Sequence, residues 1–235
     1  MDISEFGNTE IIRRDRPLTD QDYEMIKKFE NIYFKNFNHP IIIPPNVKKI
    51  CLGHQFNQKL DNLGNIEELI LGDDFNQPLD FLPSSLKKMV LGYSFNQPLL
   101  NLPPNLEDIH FMGHSKFNNQ IILPYQLKSL TFGNNFEQFF EVNHKLEELY
   151  LGRNFNLKLD LKNVKTLGFN LDSQKIYSSK HQLKHVVLYL DPDNDKYHYL
   201  NKINNFQNCS IGLVTYDITY PYTGHSREED WLVRF

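Results

Sequence analysis

The chain has 235 residues, a formal net charge of −4 and two cysteines, Cys51 and Cys209. That charge gives no electrostatic footprint for nucleic acid, and two cysteines make no disulfide framework, which points to a reducing compartment. The opening residues MDISEFGNTEIIRRDRP lack the apolar core of a secretory signal. No run approaches the ~18 apolar residues of a membrane span, so an intracellular protein that crosses no membrane is expected.

Taken in order, residues 1–18 carry clustered charges without a period and read as a loose arm. Thr19-Asp20-Gln21-Asp22 supplies an N-cap and early carboxylates. A short helix is predicted over about 20–28, with Tyr23, Met25, Ile26 and Phe29 as its apolar side. Residues 1–28 are therefore an arm and a capping helix, as an array needs where its first unit would expose a core face.

From residue 29 one unit repeats. Its two cleanest copies lie in 66–103, IEELILGDDFNQPLDFLPSSLKKMVLGYSFNQPLLNLP, written L-x-x-L-x-L-G-x-x-F-N-Q-P-L-x-x-L-P with Ile66 and Met89 standing for Leu. Self-similarity at this period marks a solenoid. Nine strand signatures follow from it: 29–34, 47–52, 66–71, 86–91, 106–111, 127–132, 146–151, 164–169 and 183–188. Positions four and six of each share a strand face; position one enters from the turn. Units of 18–21 residues are too short for a strand, a helix and two loops. Pro40, Pro78 and Pro98 within the outer half also argue against helix there.

Three columns run along the array. Phe37, Phe56, Phe75, Phe95, Phe117, Phe136 and Phe155 predict a stacked spine. Asn38, Asn57, Asn76, Asn96, Asn118 and Asn156 follow them, read as buried amides satisfied by loop backbone of their own and neighbouring coils. Position two reads Glu30, Lys48, Glu67, Lys87, Glu107, Lys128, Glu147, Lys165, Lys184, with sign alternating through eight units before it breaks. Parallel strands ~4.8 Å apart would give each charge opposite neighbours. Glycines 53, 72, 92, 133 and 152 end their strands, where backbones approach closely or turn.

After residue 190 the pattern stops. A short helix over about 194–205 and a closing strand over Cys209–Tyr216 are predicted. The aromatic tail, with Tyr220, Tyr222, Trp231 and Phe235, is expected to pack on the array or a partner. The chain thus divides into 1–28, a solenoid of about nine coils over 29–190, and a C-terminal cap over 191–235. The fold class is mainly β: a leucine-rich-repeat-like solenoid with a helical N-terminal cap and a small α+β C-terminal cap.

L-x-x-L-x-L is similar to the strand core of leucine-rich repeats, and G-x-x-F-N-Q-P-L at 72–79 and 92–99 resembles the FNIP repeat, a relative abundant in social amoebae and giant DNA viruses of amoebae. The resemblance covers about 29–190. It weakens at Phe136-Glu137-Gln138-Phe139, which loses both Asn and Pro, and at 106–120, which has two extra residues before Phe117. It implies a non-enzymatic interaction role, and a host cytoplasm or virion location if the source is viral. Some members sit beside an F-box, but residues 1–28 do not look like one.

Catalytic and metal motifs are not legible. Asp191-Pro192-Asp193-Asn194-Asp195 opens like an EF-hand loop, but Lys196 and Lys202 take the required Gly and Glu positions. His54, His110 and His114 have no zinc spacing and read as surface residues. Cys51 reads as packing rather than nucleophile. No catalytic residue, metal, cofactor or small-molecule substrate is assigned.

The expectation is a scaffold that binds another protein, or a second copy, through the outward face of the sheet. Alternatives are a structural component of a virus particle or a substrate-recognition subunit of a ubiquitin-ligase-type complex. Position five reads Tyr33, Cys51, Ile70, Val90, His110, Thr131, Tyr150, Gly168, Val187. Position three reads Asn31, Lys49, Glu68, Lys88, Asp108, Ser129, Glu148, Thr166, His185. An exposed apolar stripe beside a mixed-charge one is predicted, with Tyr33, Ile70, Val90, His110, Tyr150, Lys49, Glu68, Lys88 and Asp108 as candidate partner contacts.

Overall fold

The computed structural model describes residues 9–13, 15–170, 183–190 and 210–215, without the side chains of 9, 170, 188–190 and 211–215. They build one parallel sheet of eleven strands in sequence order. These are β1 Thr9–Ile12, β2 Asn31–Phe34, β3 Lys49–Leu52, β4 Glu68–Leu71, β5 Lys88–Leu91, β6 Asp108–Phe111, β7 Ser129–Thr131, β8 Glu148–Tyr150, β9 Thr166–Asn170, β10 His185–Leu190 and β11 Ser210–Thr215. Equivalent residues pair across the array, for example Glu68↔Lys88↔Asp108. The nine predicted repeat strands are β2–β10, and β11 falls within the predicted closing strand. The predicted helix over 194–205 and the aromatic tail lie outside the described residues.

The segment read as a loose arm contains a strand. β1 has only Ile11 and Ile12 as apolar residues, too few to show a period, and forms by pairing Glu10↔Ile32 and Ile12↔Phe34 with β2. Helix α1, Asp20–Ile26, then fills the outer side of the first coil. A capping box starts it: the Asp22 N–H donates to Thr19 Oγ1, and the Thr19 N–H donates to the Asp22 carboxylate at 2.9 Å. Arg16 adds two bonds to the same carboxylate, at 2.7 and 3.1 Å. The helix ends two residues before the predicted 28, with Ile26 fully buried.

Inside the coils, positions one, four and six are buried, as in Ile66, Leu69, Leu71 and Leu86, Met89, Leu91. Phe37, Phe56, Phe75, Phe95, Phe117, Phe136 and Phe155 stack with centroids 6.4, 6.1, 6.1, 6.1, 5.6 and 6.0 Å apart. Burial of this aromatic surface adds to that of the Leu, Ile and Val side chains of the core.

The asparagines hydrogen bond across coils, but at the surface rather than in the core: Asn38, Asn96 and Asn156 are exposed and Asn57, Asn76 and Asn118 half-exposed. The backbone N–H groups of Asn57, Asn76, Asn96 and Asn118 donate to the preceding coil's Asn Oδ1 at 2.8–2.9 Å. Asn118 Oδ1 accepts from the Glu137 N–H at 3.0 Å, and the series stops at Glu137, whose carboxylate sits one methylene further out than an Asn Oδ1. The glycines mark close approach of backbones. A Cβ on Gly72 would lie 2.3 Å from Gly53 O, and one on Gly92 2.2 Å from Gly72 O. Where this column reads Met112, its side chain packs outward instead.

Candidate functional site

The sheet's outward face is set by the two-residue period of the strands. Position five does not form the exposed stripe expected of it. Tyr33, Cys51, Ile70 and Val90 are buried, Val90 completely, in a small second core against Ile11 and Met112. Burial pushes the Tyr33 hydroxyl and the Cys51 thiol both up to about 12. Cys51 is thus a packed thiol, not an activated one. Ile11 and Met112 were not read as neighbours of this column, because β1 was missed and Met112 occupies a glycine position.

From β6 onward the column opens. His110, Thr131 and Tyr150 are each partly exposed. His110 was read as a surface residue, yet desolvation dominates its surroundings and lowers it to about 4, with Lys88 adding to the effect. The imidazole is therefore neutral at physiological pH. Tyr150 lies over Gly168, where an added Cβ would be 2.4 Å from the ring. Its hydroxyl is shifted upward by burial and then by Glu148.

Position three supplies the charges of this face. Lys49 pairs with Glu68 at 2.9 Å and Lys88 with Asp108 at 3.6 Å, all four half-exposed. Desolvation raises the Asp108 carboxyl, partly offset by Lys88. Beyond Asp108 the row reads Ser129, Glu148, Thr166, His185, and the lysines stop. The predicted contacts Lys49, Glu68, Lys88, Asp108, His110 and Tyr150 thus share the accessible face; Tyr33, Ile70 and Val90 do not. Glu148, Ser129 and Thr131 join the accessible part, and the interrupted sign pattern in the position-three column was the available signal.

Position two forms a separate ladder along the sheet margin. Glu67 binds Lys87 at 2.6 Å and Lys48 at 3.5 Å. Glu107 binds Lys128 and Glu147 binds Lys165, each at 2.7 Å. Each exposed pair is worth about 0–1 kcal/mol, so the ladder serves register more than stability. His54 pairs with Asp73 across adjacent coils at 2.7 Å.

A family model described as FNIP Repeat matches residues 37–63, 64–94 and 75–115. Residues 37–115 thus match the FNIP repeat. The crystal structure of CroV588, a giant-virus protein described as a novel circular LRR protein, is similar to this chain with a TM-score of 0.60 and 26% identity. The match covers 79% of this chain and 33% of CroV588, so this chain spans about a third of that protein's length. No curated protein matches.

The array holds no group of three or more potential metal ligands among the described residues. No described helix is long and apolar enough to cross a membrane. The EF-hand-like Asp191–Asp195 segment lies outside the described residues.

Proposed function

We propose that this FNIP-repeat protein is a non-catalytic scaffold that binds another protein through the outward face of its parallel sheet. One observation carries the reading: the face is continuous through the repeats, and from β6 to β8 it combines accessible charged, polar and aromatic side chains. Such mixed surfaces on a rigid array suit recognition of a macromolecule better than enclosure of a small substrate. FNIP and leucine-rich-repeat-like families are typically non-enzymatic scaffolds.

The test is site-specific photocrosslinking. Benzoylphenylalanine replaces Tyr150 on the sheet face, or Phe81, which is 70% exposed at the outer side of its coil. Adducts with a discrete protein in the native host are expected from position 150 and not from position 81. Adducts only from position 81 would place recognition elsewhere. The likeness to a giant-virus protein supports a second reading, a structural component of a virus particle. Mass spectrometry of purified particles should then find the chain at stoichiometric abundance.

A further inference from the structure

The position-three row contains an ordered charge pattern with a missing member. Lys49, Glu68, Lys88 and Asp108 alternate and pair along β3–β6. Continued, the pattern would place a cation on β7, then an anion on β8, then a cation on β9. β8 supplies the anion, Glu148, but β7 has Ser129 and β9 has Thr166. The lysines of those two coils lie one position earlier, where Lys128 is held by Glu107 and Lys165 by Glu147. Among the described residues, Glu148 makes no ion pair, and it is exposed.

Ser129 pairs directly with Asp108 on one side and Glu148 on the other. Two strand spacings put those acidic residues about 9.6 Å apart. The floor between them is short, Ser129 and Thr131. Asp108 and His110 flank it on one side and Glu148 on the other. Tyr150 leans over Gly168, away from Thr131. His110 is neutral and adds no repulsion to a cation.

We infer that this gap is a subsite for an arginine side chain presented by a partner protein, which completes the row over Ser129. A planar guanidinium has donors on two edges and can bridge both carboxylates through charge-assisted bonds of ~2.8 Å each. The inference rests on the scaffold reading and names the partner's chemistry.

The test uses the full chain and the peptide acetyl-Gly-Gly-Arg-Gly-Gly-amide, followed by amide NMR shifts. Saturable shifts are expected at Ser129, Thr131, Glu148 and Tyr150, with none from the neutral citrulline peptide. Ser129→Lys supplies the missing cation from within and should abolish them; its melting temperature should be unchanged, since Lys49 and Lys88 occupy the same position. Glu148→Gln should weaken binding about fivefold, the loss of one exposed ion pair. Equal shifts from citrulline, or undiminished binding by both variants, overturn the subsite. Capture of a crosslinked partner by wild type and Ser129→Lys separates the two readings. Equal capture removes the arginine subsite and keeps the scaffold; no capture by either removes the scaffold.

Discussion

Single side chains carry unequal weight in this array. Phe75 and Phe95 are fully buried between ring neighbours on both sides. Phe75→Ala should cost ~3–5 kcal/mol in denaturant unfolding, the usual range for Phe truncation. Phe37→Ala, with its next spine ring on one side only, should cost less. Val90→Asp should also cost ~3–5 kcal/mol, because it leaves an uncompensated charge in the second core. A melting temperature unchanged by Val90→Asp would return that side chain to the surface. Glu137→Asn is the opposite case: it shortens the side chain that ends the asparagine ladder by one methylene, bringing an acceptor oxygen to the reach of the Asn156 N–H. A gain of about 0.5–1.5 kcal/mol is expected, a typical net hydrogen bond.

At the scale of the element, most of the architecture was legible because each strand repeats the same buried pattern. The pattern did not tell which side of the sheet a neighbour covers. Ile70 and Val90 fit an exposed stripe as well as a buried one, since β-branched residues suit either. Deciding needed Met112 and Ile11, whose positions depend on a broken glycine column and a strand with no periodic signal. Helix α1 was legible from its cap, Thr19 with Asp22, but Arg16 was not. The Arg16 bonds, followed by those of Thr19, hold the Asp22 carboxyl well below the usual carboxylate range. A depressed folded-state pKa gives stability that is present above the unfolded value of ~3.9 and lost as pH falls. Melting of the wild type should therefore fall more steeply below about pH 4 than melting of Asp22→Asn. Parallel curves would detach this carboxylate from acid stability.

For the whole molecule, alternating charge makes the number of coils matter. Deleting residues 54–72 removes the coil bearing Glu67 and Glu68, so Lys48 and Lys49 would meet Lys87 and Lys88. Deleting 54–92 removes two coils and sets Lys48 and Lys49 against Glu107 and Asp108. Like charges on neighbouring strands are unfavourable. The two-coil deletion should therefore melt at a higher temperature than the one-coil deletion, although it loses more core. The reverse order would show that burial alone ranks the two.

The phenylalanine spine has a geometric consequence. Equivalent rings of successive coils lie mostly about 6.1 Å apart, whereas adjacent strands lie ~4.8 Å apart. Each coil is therefore a wedge, thicker at the spine than at the sheet. Spread over a layer depth of ~10 Å, the difference is a bend of about 7° per coil. The array arches with its sheet on the inner, shorter side. There the outward side chains converge, which helps a column as modest as Tyr33, Cys51, Ile70 and Val90 to bury itself. A flat surface cannot lie against such a hollow; a protruding loop or an extended segment can.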